Sequence, residues 1–225
     1  MTNDISPLII SIKTALFSTF ITFFIGLFLA YIMANYKGRF KGLLDGILTL
    51  PLILPPTVVG FFLLILVGKN GPIGKVFMMF DKSVIFTWSA TVIAATVVSF
   101  PMMYRTSRSA FEQIDINIIY AARTLGFSEF KIFYKIAVPL AMPGIIGGLV
   151  LAFARAIGEF GATLMIAGNI PGKTQTMPLA IFFAVEGGDM KKAFIWVMTI
   201  VAISLSSILA LNLWSEYQNK LIGSK

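Results

Sequence analysis

Apolar residues fall in five long runs that are separated by short polar segments. A helix needs about 20 residues to cross a hydrocarbon core of roughly 30 Å, and each run reaches that length. The pattern therefore predicts an all-α membrane protein, a helical bundle of about five spans that forms one domain over residues 7–214. The predicted spans are Pro7–Tyr36, Leu43–Val67, Val84–Tyr104, Leu140–Ala167 and Ala193–Trp214.

A sixth apolar segment, Met177–Val185, is too short to span as a regular helix and ends in Glu186-Gly187-Gly188-Asp189. It is predicted to be re-entrant or interfacial. The first run is far longer than the apolar core of a signal peptide and lacks a small-residue cleavage site after it, so we expect it to stay in the mature protein.

The second run contains prolines that a regular helix cannot hold. Pro51, Pro55 and Pro56 remove backbone donors and clash with preceding carbonyls, which predicts a kink. Backbone groups freed at membrane depth have to face protein or a water-filled cavity. Pro55, Pro56 and Thr57 therefore either pack against neighbouring helices or line a pathway.

The fourth run carries two charges, Arg155 and Glu159, which are four residues apart and so are expected on one helix face. Charges inside a membrane are costly, face the bundle interior and pair with each other. The pair is either a structural ion pair or part of an anion pathway. Gly158 and Gly161 permit close helix packing beside it.

The longest polar stretch inside the chain is Tyr120–Pro143. Its apolar residues recur at helical spacing, Gly126 interrupts them, and Ser128 is a candidate N-cap for a second short helix. Pro139 is expected to end the unit. The pattern predicts a helix, a turn and a helix at the membrane surface, acting as an interfacial anchor or as an aromatic knob for a groove on another protein.

Composition supports a membrane protein, because 57% of the 225 residues are apolar and 12% are charged. The chain has no Cys and no His, so a thiolate metal site, a cysteine nucleophile and the commonest general base are excluded. We expect no catalysis, no metal and no cofactor. The net charge of +8 is spread over short loops, which argues against nucleic acid as a partner.

Lys and Arg are expected in excess in cytoplasmic loops. With the N-terminus outside and the C-terminus in the cytoplasm, ten of these residues fall inside and six outside. The polar stretch is then cytoplasmic. The inside residues are Lys37, Arg39, Lys41, Arg105, Arg108, Arg123, Lys131, Lys135, Lys220 and Lys225, and the outside residues are Lys69, Lys75, Lys82, Lys173, Lys191 and Lys192.

The polar stretch resembles the cytoplasmic loop motif of ATP-binding-cassette importer permeases, which runs Glu-Ala-Ala, three residues, Gly, nine residues, Ile, one residue and Leu-Pro. Tyr120 and Val138 depart from it, so a contact made by the motif's Glu is not carried over. The resemblance implies a loop, residues 105–138, whose coupling helices sit in a cleft of an ATPase subunit. The matching residues are Ala121, Ala122, Gly126, Ile136 and Pro139.

Residues 48–60 and 153–182 resemble molybdate permeases of this class, and the resemblance extends over nearly the whole chain. Sulfate and thiosulfate permeases share related forms of Arg-x-x-Gly-Glu-Phe-Gly, so sulfate, thiosulfate and tungstate remain alternatives to molybdate. The resemblance implies the type I importer fold and a homodimer in the cell membrane. Its partners would be two ATPase subunits and an extracytoplasmic molybdate-binding protein.

Two other functions fit the sequence less well. Gly168–Thr174 looks like a phosphate-binding loop, but three residues separate its glycines where that motif needs four. We interpret it as a turn on the outer face. An ion-driven secondary transporter would show inverted repeats and carboxylates in both halves, and no convincing repeat is visible.

Overall fold

The computed structural model describes residues 4–81 and 83–223, and all regular structure in this part of the chain is helical. The predicted all-α bundle is confirmed. Lys82 and Lys225, which entered the count of loop charges, lie outside the described residues. The helices are α1 (Ser6–Asn35), α2 (Lys41–Ile53), α3 (Pro56–Val67), α4 (Pro72–Met78), α5 (Trp88–Glu112), α6 (Ile116–Thr124), α7 (Glu129–Ile132), α8 (Val138–Ile157), α9 (Gly161–Ala167), α10 (Met177–Glu186) and α11 (Met190–Gly223), with a π-helical turn at Phe133–Ala137 between α7 and α8.

Helix α5 lies at the centre of the bundle and runs parallel to α1. The hydroxyl oxygens of Thr14 and Thr91 are 2.9 Å apart. Those of Thr22 and Ser99 are 3.4 Å apart. Both pairs are 77 residues apart in sequence, and a constant offset means that the two helices run in the same direction. This direction agrees with the predicted topology, in which the first and third spans cross the membrane alike.

Helix α8 packs against α5 in the opposite direction. Gly144 lies against Ala110, and Gly148 lies against Met103, whose sulfur would be 3.2 Å from a Cβ at that glycine. The sequence order is reversed between the two helices, so they are antiparallel. Glycine at these positions lets the backbones approach closely, as is common between membrane helices.

The five predicted runs fall on seven helices, because the second run is divided into α2 and α3 and the fourth into α8 and α9. In the described part of the chain three helices are long and apolar enough to cross a membrane: α1, the continuous helix Glu129–Ile157 and the segment Met190–Ala210 of α11. The bent pair α2 and α3 would make a fourth. Helix α5 is less apolar because its buried faces carry Ser and Thr, of which Thr91 and Ser99 pair with hydroxyls on α1.

The kink predicted in the second run is confirmed, and it is sharp. Helix α2 ends at Ile53, Leu54 is extended, and α3 begins at Pro56 after a bend of 113°. Pro55 excludes helical conformations from Leu54, while Pro56 is tolerated in the first turn of α3. Pro51 lies inside α2.

The fourth run was predicted as one span over Leu140–Ala167, beginning after Pro139 ends the polar unit. The structure differs from this prediction at both ends of the run. Helix α8 ends at Ile157, and the chain re-enters helix only at Gly161. Glu159 therefore lies in the break rather than on a helix face. At the other end Pro139 does not end the polar unit, because α7 continues through the π-helical turn into α8. Pro139 occupies the first turn of α8, where its missing N–H costs little, and the wide π turn precedes it.

The short apolar segment forms α10, whose first N–H, on Met177, donates to the Ser11 hydroxyl of α1 at 2.7 Å. Met177, Leu179, Ala180 and Ala184 are buried. A turn at residues 187–189 joins α10 to α11. Its re-entrant or interfacial location stays a prediction.

Candidate functional site

The predicted helix, turn and helix are present over residues 116–137, named here the docking unit. Asp115 caps α6 by accepting the Asn117 N–H at 2.9 Å. Ser128 caps α7 by accepting the Lys131 N–H at 3.4 Å, as predicted. Gly126 connects the two helices with φ of +80°, a conformation that L side chains rarely adopt. Helix α5 extends to Glu112, so residues 105–112 of the predicted coupling loop are helical.

An ion pair closes the turn of the docking unit. Arg123 Nε donates to Glu129 Oε1 at 2.7 Å, and its Nη2 donates to Oε2 at 3.1 Å. The hydrogen bond to Glu129 raises the pKa of Arg123, which is therefore cationic at every physiological pH. A bidentate guanidinium–carboxylate pair has fixed geometry, so it favours one angle between α6 and α7. The sequence analysis named both residues but did not predict that they pair.

The inner side of the docking unit is fixed to the bundle by apolar contacts. Ile119, Ala122 and Ile132 are buried together. The Phe133 ring lies 4.7 Å from the ring of Tyr31 on α1 and 6.4 Å from that of Phe111 on α5. A displacement of the unit is therefore felt directly by both of these helices.

The outer side of the docking unit is apolar and uncovered. Leu125 is 77% exposed and Phe130 is 73% exposed. Among the motif residues, Ala121 and Pro139 are exposed, Ile136 is half-buried and Ala122 faces inward. Large apolar side chains that protrude from a rigid helical unit are typical of a protein contact surface.

The five intramembrane candidates lie in one region, where the breaks after α2 and α8 meet. A Cβ on Gly161 would lie 3.0 Å from Pro56 Cβ and 3.2 Å from Thr57 N. Further along, a Cβ on Gly60 would lie 2.7 Å from Met165 Cβ. The sequence order is the same on α3 and α9, so the two half-helices are parallel and their N-termini are adjacent.

Arg155 and Glu159 form the predicted pair, with Arg155 Nη1 2.8 Å from Glu159 Oε2. This is a charge contact rather than an aligned hydrogen bond, because Oε2 has no hydrogen-bond partner. Glu159 Oε1 accepts the Ala162 N–H at 2.8 Å and so caps the first turn of α9. Glu159 is 2% exposed, while the Arg155 side chain is 27% exposed. Both carboxylate oxygens are thus held inside the chain.

A polar cluster that was not predicted from the sequence joins α2 to α5 and consists of Lys41, Asp45, Tyr104, Arg108 and Glu112. Asp45 is the only acidic residue in the second apolar run, which was an available signal. Its partners lie about 60 residues away in sequence, so the pairing itself was not visible.

At the opposite end of the bundle, residues 168–174 form a tight turn, as interpreted from the sequence. The Thr174 hydroxyl donates to the Gly168 carbonyl at 3.2 Å and accepts the Ile170 N–H at 3.0 Å. Gly172 has φ of +72°. Over the described residues no three Asp or Glu side chains lie close enough to hold a metal ion.

The fold is that of importer permeases. A chain in crystals of the MetNI methionine ABC transporter in inward-facing conformations superposes with a TM-score of 0.74 at 15% identity, over 96% of this chain and 99% of that one. A family model described as "Binding-protein-dependent transport system inner membrane component" matches residues 22–221. The chain belongs to this family. It is a permease of the ATP-binding-cassette importers, in which the ATPase is a separate subunit.

Relatives within the family differ in the anion that their names give. The permease is 53% identical over 156 residues, 69% of each chain, to Bacillus subtilis YvgM, whose name gives molybdenum transport as a provisional assignment. It is 42% identical over 177 residues, 77% of each chain, to the molybdenum transport system permease protein ModB of Haemophilus influenzae. Identity to the sulfate transport system permease protein CysT of Salmonella typhimurium is 35% over 175 residues, 77% of this chain and 63% of that one.

Proposed function

We propose that this permease belongs to a molybdate importer. The substrate assignment rests on sequence identity to the relatives of this permease. The identity is 53% and 42% to proteins named for molybdenum transport and 35% to one named for sulfate transport. Tungstate and molybdate are oxyanions of similar size and charge, so tungstate is expected to share the pathway. Sulfate or thiosulfate is the second candidate.

The permease works as a homodimer with the pathway between two copies. Within one copy only 11% of the Met190–Ala210 span is buried, so most of this span has to be covered by lipid or by another subunit. Permeases with few spans enclose a path by forming a symmetric pair. The N-terminus lies outside, the C-terminus lies in the cytoplasm, and a binding protein delivers the anion to the outer mouth.

Two ATPase subunits bind the docking units from the cytoplasm. Leu125 and Phe130 enter the ATPase cleft, while Arg123 and Glu129 hold the angle between the helices. Because Phe133 contacts both α1 and α5, movement of the ATPase pair is passed to these spans. ATP shifts the permease between inward and outward access only through its different affinity for the two states.

The Arg155–Glu159 pair is structural in this proposal. Glu159 already receives an N–H and a guanidinium, so the charge of Arg155 is neutralised before any anion arrives. Pro55, Pro56 and Thr57 provide the break where α3 begins beside α9. A weakly binding pathway suits transport, since an anion held by a full charge would leave slowly.

Uptake by vesicles containing the whole complex, loaded with ATP, tests the proposal. We expect uptake of labelled molybdate that depends on ATP and on the binding protein, and that tungstate inhibits at much lower concentration than sulfate does. Stronger competition by sulfate would assign the sulfate class instead. Uptake driven by an ion gradient without ATP would overturn the importer mechanism.

A further inference from the structure

Helix α2 is attached to the bundle mainly through polar side chains. Thr49 is its only buried residue, while Leu43 and Ile47 are 63% and 58% exposed. Helices α1, α5 and α8, by contrast, each bury at least six residues. Little hydrophobic free energy therefore holds α2 in place, and its position depends on the contacts that its polar residues make.

Those contacts form one connected group, the α2–α5 ionic cluster, in which two side chains of α2 meet three of α5. Lys41 Nζ lies 3.3 Å from Glu112 Oε1. Arg108 Nε donates to the same oxygen at 3.0 Å, and its Nη1 contacts Asp45. The fully buried Tyr104 donates its hydroxyl to Asp45 Oδ1 at 2.8 Å. Asp45 is thus shared by two donors on α5.

The other end of α2 is a break in the backbone hydrogen bonds. Leu54 is extended, and neither Pro55 nor Pro56 has an N–H to donate across the junction with α3. Bending at this junction therefore breaks no backbone hydrogen bond, and because each proline ring fixes φ, the bending takes place in ψ. Helix α2 is joined to α3 by this break and is held along its length by the ionic cluster.

Water reaches the charged groups of the cluster, and this access lowers the strength of their ion pairs. The side chains of Arg108, Lys41 and Glu112 are 17%, 34% and 39% exposed. Ion pairs that water reaches are weak and exchange readily. Glu112 is the last residue of α5, and only residues 113–115 separate it from the docking unit. Movement of the docking unit therefore acts first on this end of the cluster.

We propose that the α2–α5 ionic cluster is a latch that opens and closes in each transport cycle, and that α2 swings about Leu54–Pro55 when it opens. The inference rests on the proposed ATP-driven transport. Lys41, Asp45, Arg108 and Glu112 are then positioning residues, because they set the place of α2 without contacting the transported anion.

Covalent closure of the latch tests the proposal. Because this chain contains no cysteine, the introduced residues are its only thiols. In the complete complex Lys41→Cys and Glu112→Cys are joined by a short thiol-cleavable bismaleimide. We expect ATP-driven molybdate uptake to fall at least tenfold on cross-linking and to return on reduction. Lys41→Cys alone and Glu112→Cys alone, treated with the same reagent, control for loss of the ion pair and for the attached group.

Cross-linked complexes that transport at the rate of the single variants would overturn the latch, as would two reactive thiols that never cross-link. A second readout is the cross-linking yield itself, which should drop when the ATPase is trapped with ATP and vanadate. This yield does not depend on the anion. If the wild-type complex takes up no molybdate, the substrate proposal fails, and the yield with and without trapping still decides the latch: an unchanged yield contradicts it.

Discussion

At the scale of single residues, Gly126 is constrained by its backbone conformation and not by lack of space. Nothing lies within 4 Å of a Cβ at this position. The constraint is the backbone, whose φ is +80°. An L side chain in this conformation costs about 1–2 kcal/mol.

Gly126→Ala should therefore weaken binding of the ATPase subunit by about five- to thirtyfold, because the strained turn has to be restored on docking. Affinity of the purified permease for the ATPase, measured by titration in detergent, is the readout. Gly172→Ala is the matched control, since Gly172 also has positive φ and open space but lies at the opposite end of the bundle. Equal losses for both variants would contradict the role of the Gly126 turn.

Arg155 and Glu159 illustrate a pairing that spacing predicts correctly for a partly wrong reason. They meet across the end of α8 rather than on one helix face. Arg155→Gln leaves Glu159, which is 2% exposed, as a lone buried charge, and such a charge destabilises by about 3–5 kcal/mol. We therefore expect Arg155→Gln to reduce stability and membrane abundance.

Adding Glu159→Gln to Arg155→Gln should restore much of the loss, because the amide oxygen of Gln can still accept the Ala162 N–H while no charge remains. Thermal unfolding and vesicle uptake of the single and double variants provide the measurement. Abundant Arg155→Gln protein that takes up little molybdate, and that the second change does not rescue, would assign Arg155 to the anion pathway.

At the scale of elements, periodicity and length predict which runs are helical but not where a helix is interrupted. The prolines predict the break before α3, because their effect on the backbone is local. The break at Gly158 has a weaker signal, since single glycines also occur inside continuous membrane helices. It depends on Glu159 capping α9, which is a local contact, and on Gly161 packing against Thr57, which is a tertiary contact.

The Arg123–Glu129 pair makes a prediction about the docking unit as an element. Glu129→Gln removes one charge of the Arg123–Glu129 ion pair and should lower the affinity for the ATPase by about two- to fivefold, since exposed ion pairs contribute little individually. Lys131→Gln on the same short helix is the control and should have a smaller effect. The same titration measures both variants. A larger loss of affinity for Lys131→Gln than for Glu129→Gln would argue against a role of the Arg123–Glu129 pair in binding the ATPase.

At the scale of the whole molecule, the distribution of charges predicts a topology that the helix directions match. The parallel α1 and α5 and the antiparallel α8 fit alternating spans, but they leave the absolute orientation as a prediction. The α2–α5 ionic cluster could not be predicted at this scale, because charges about 60 residues apart come together only after the bundle has formed.

The orientation is tested by labelling in intact cells. A membrane-impermeant thiol reagent should label Asn70→Cys, in the loop after α3, and should not label Lys131→Cys in the docking unit. Both residues are exposed within the chain. Asn70 is preferred to its neighbour Gly71, where a Cβ would collide with the Ile65 and Leu66 carbonyls. The opposite labelling pattern would invert the topology.

Binding of an ATPase subunit by the docking unit can be measured by site-specific photo-cross-linking in the assembled complex. A photoreactive amino acid replaces Phe130, which is 73% exposed on the docking unit, or Phe86, which is 53% exposed at the opposite end of the bundle. We expect the ATPase to be captured from Phe130 and not from Phe86. Capture from Phe86, or from neither position in a complex that hydrolyses ATP, would contradict the account.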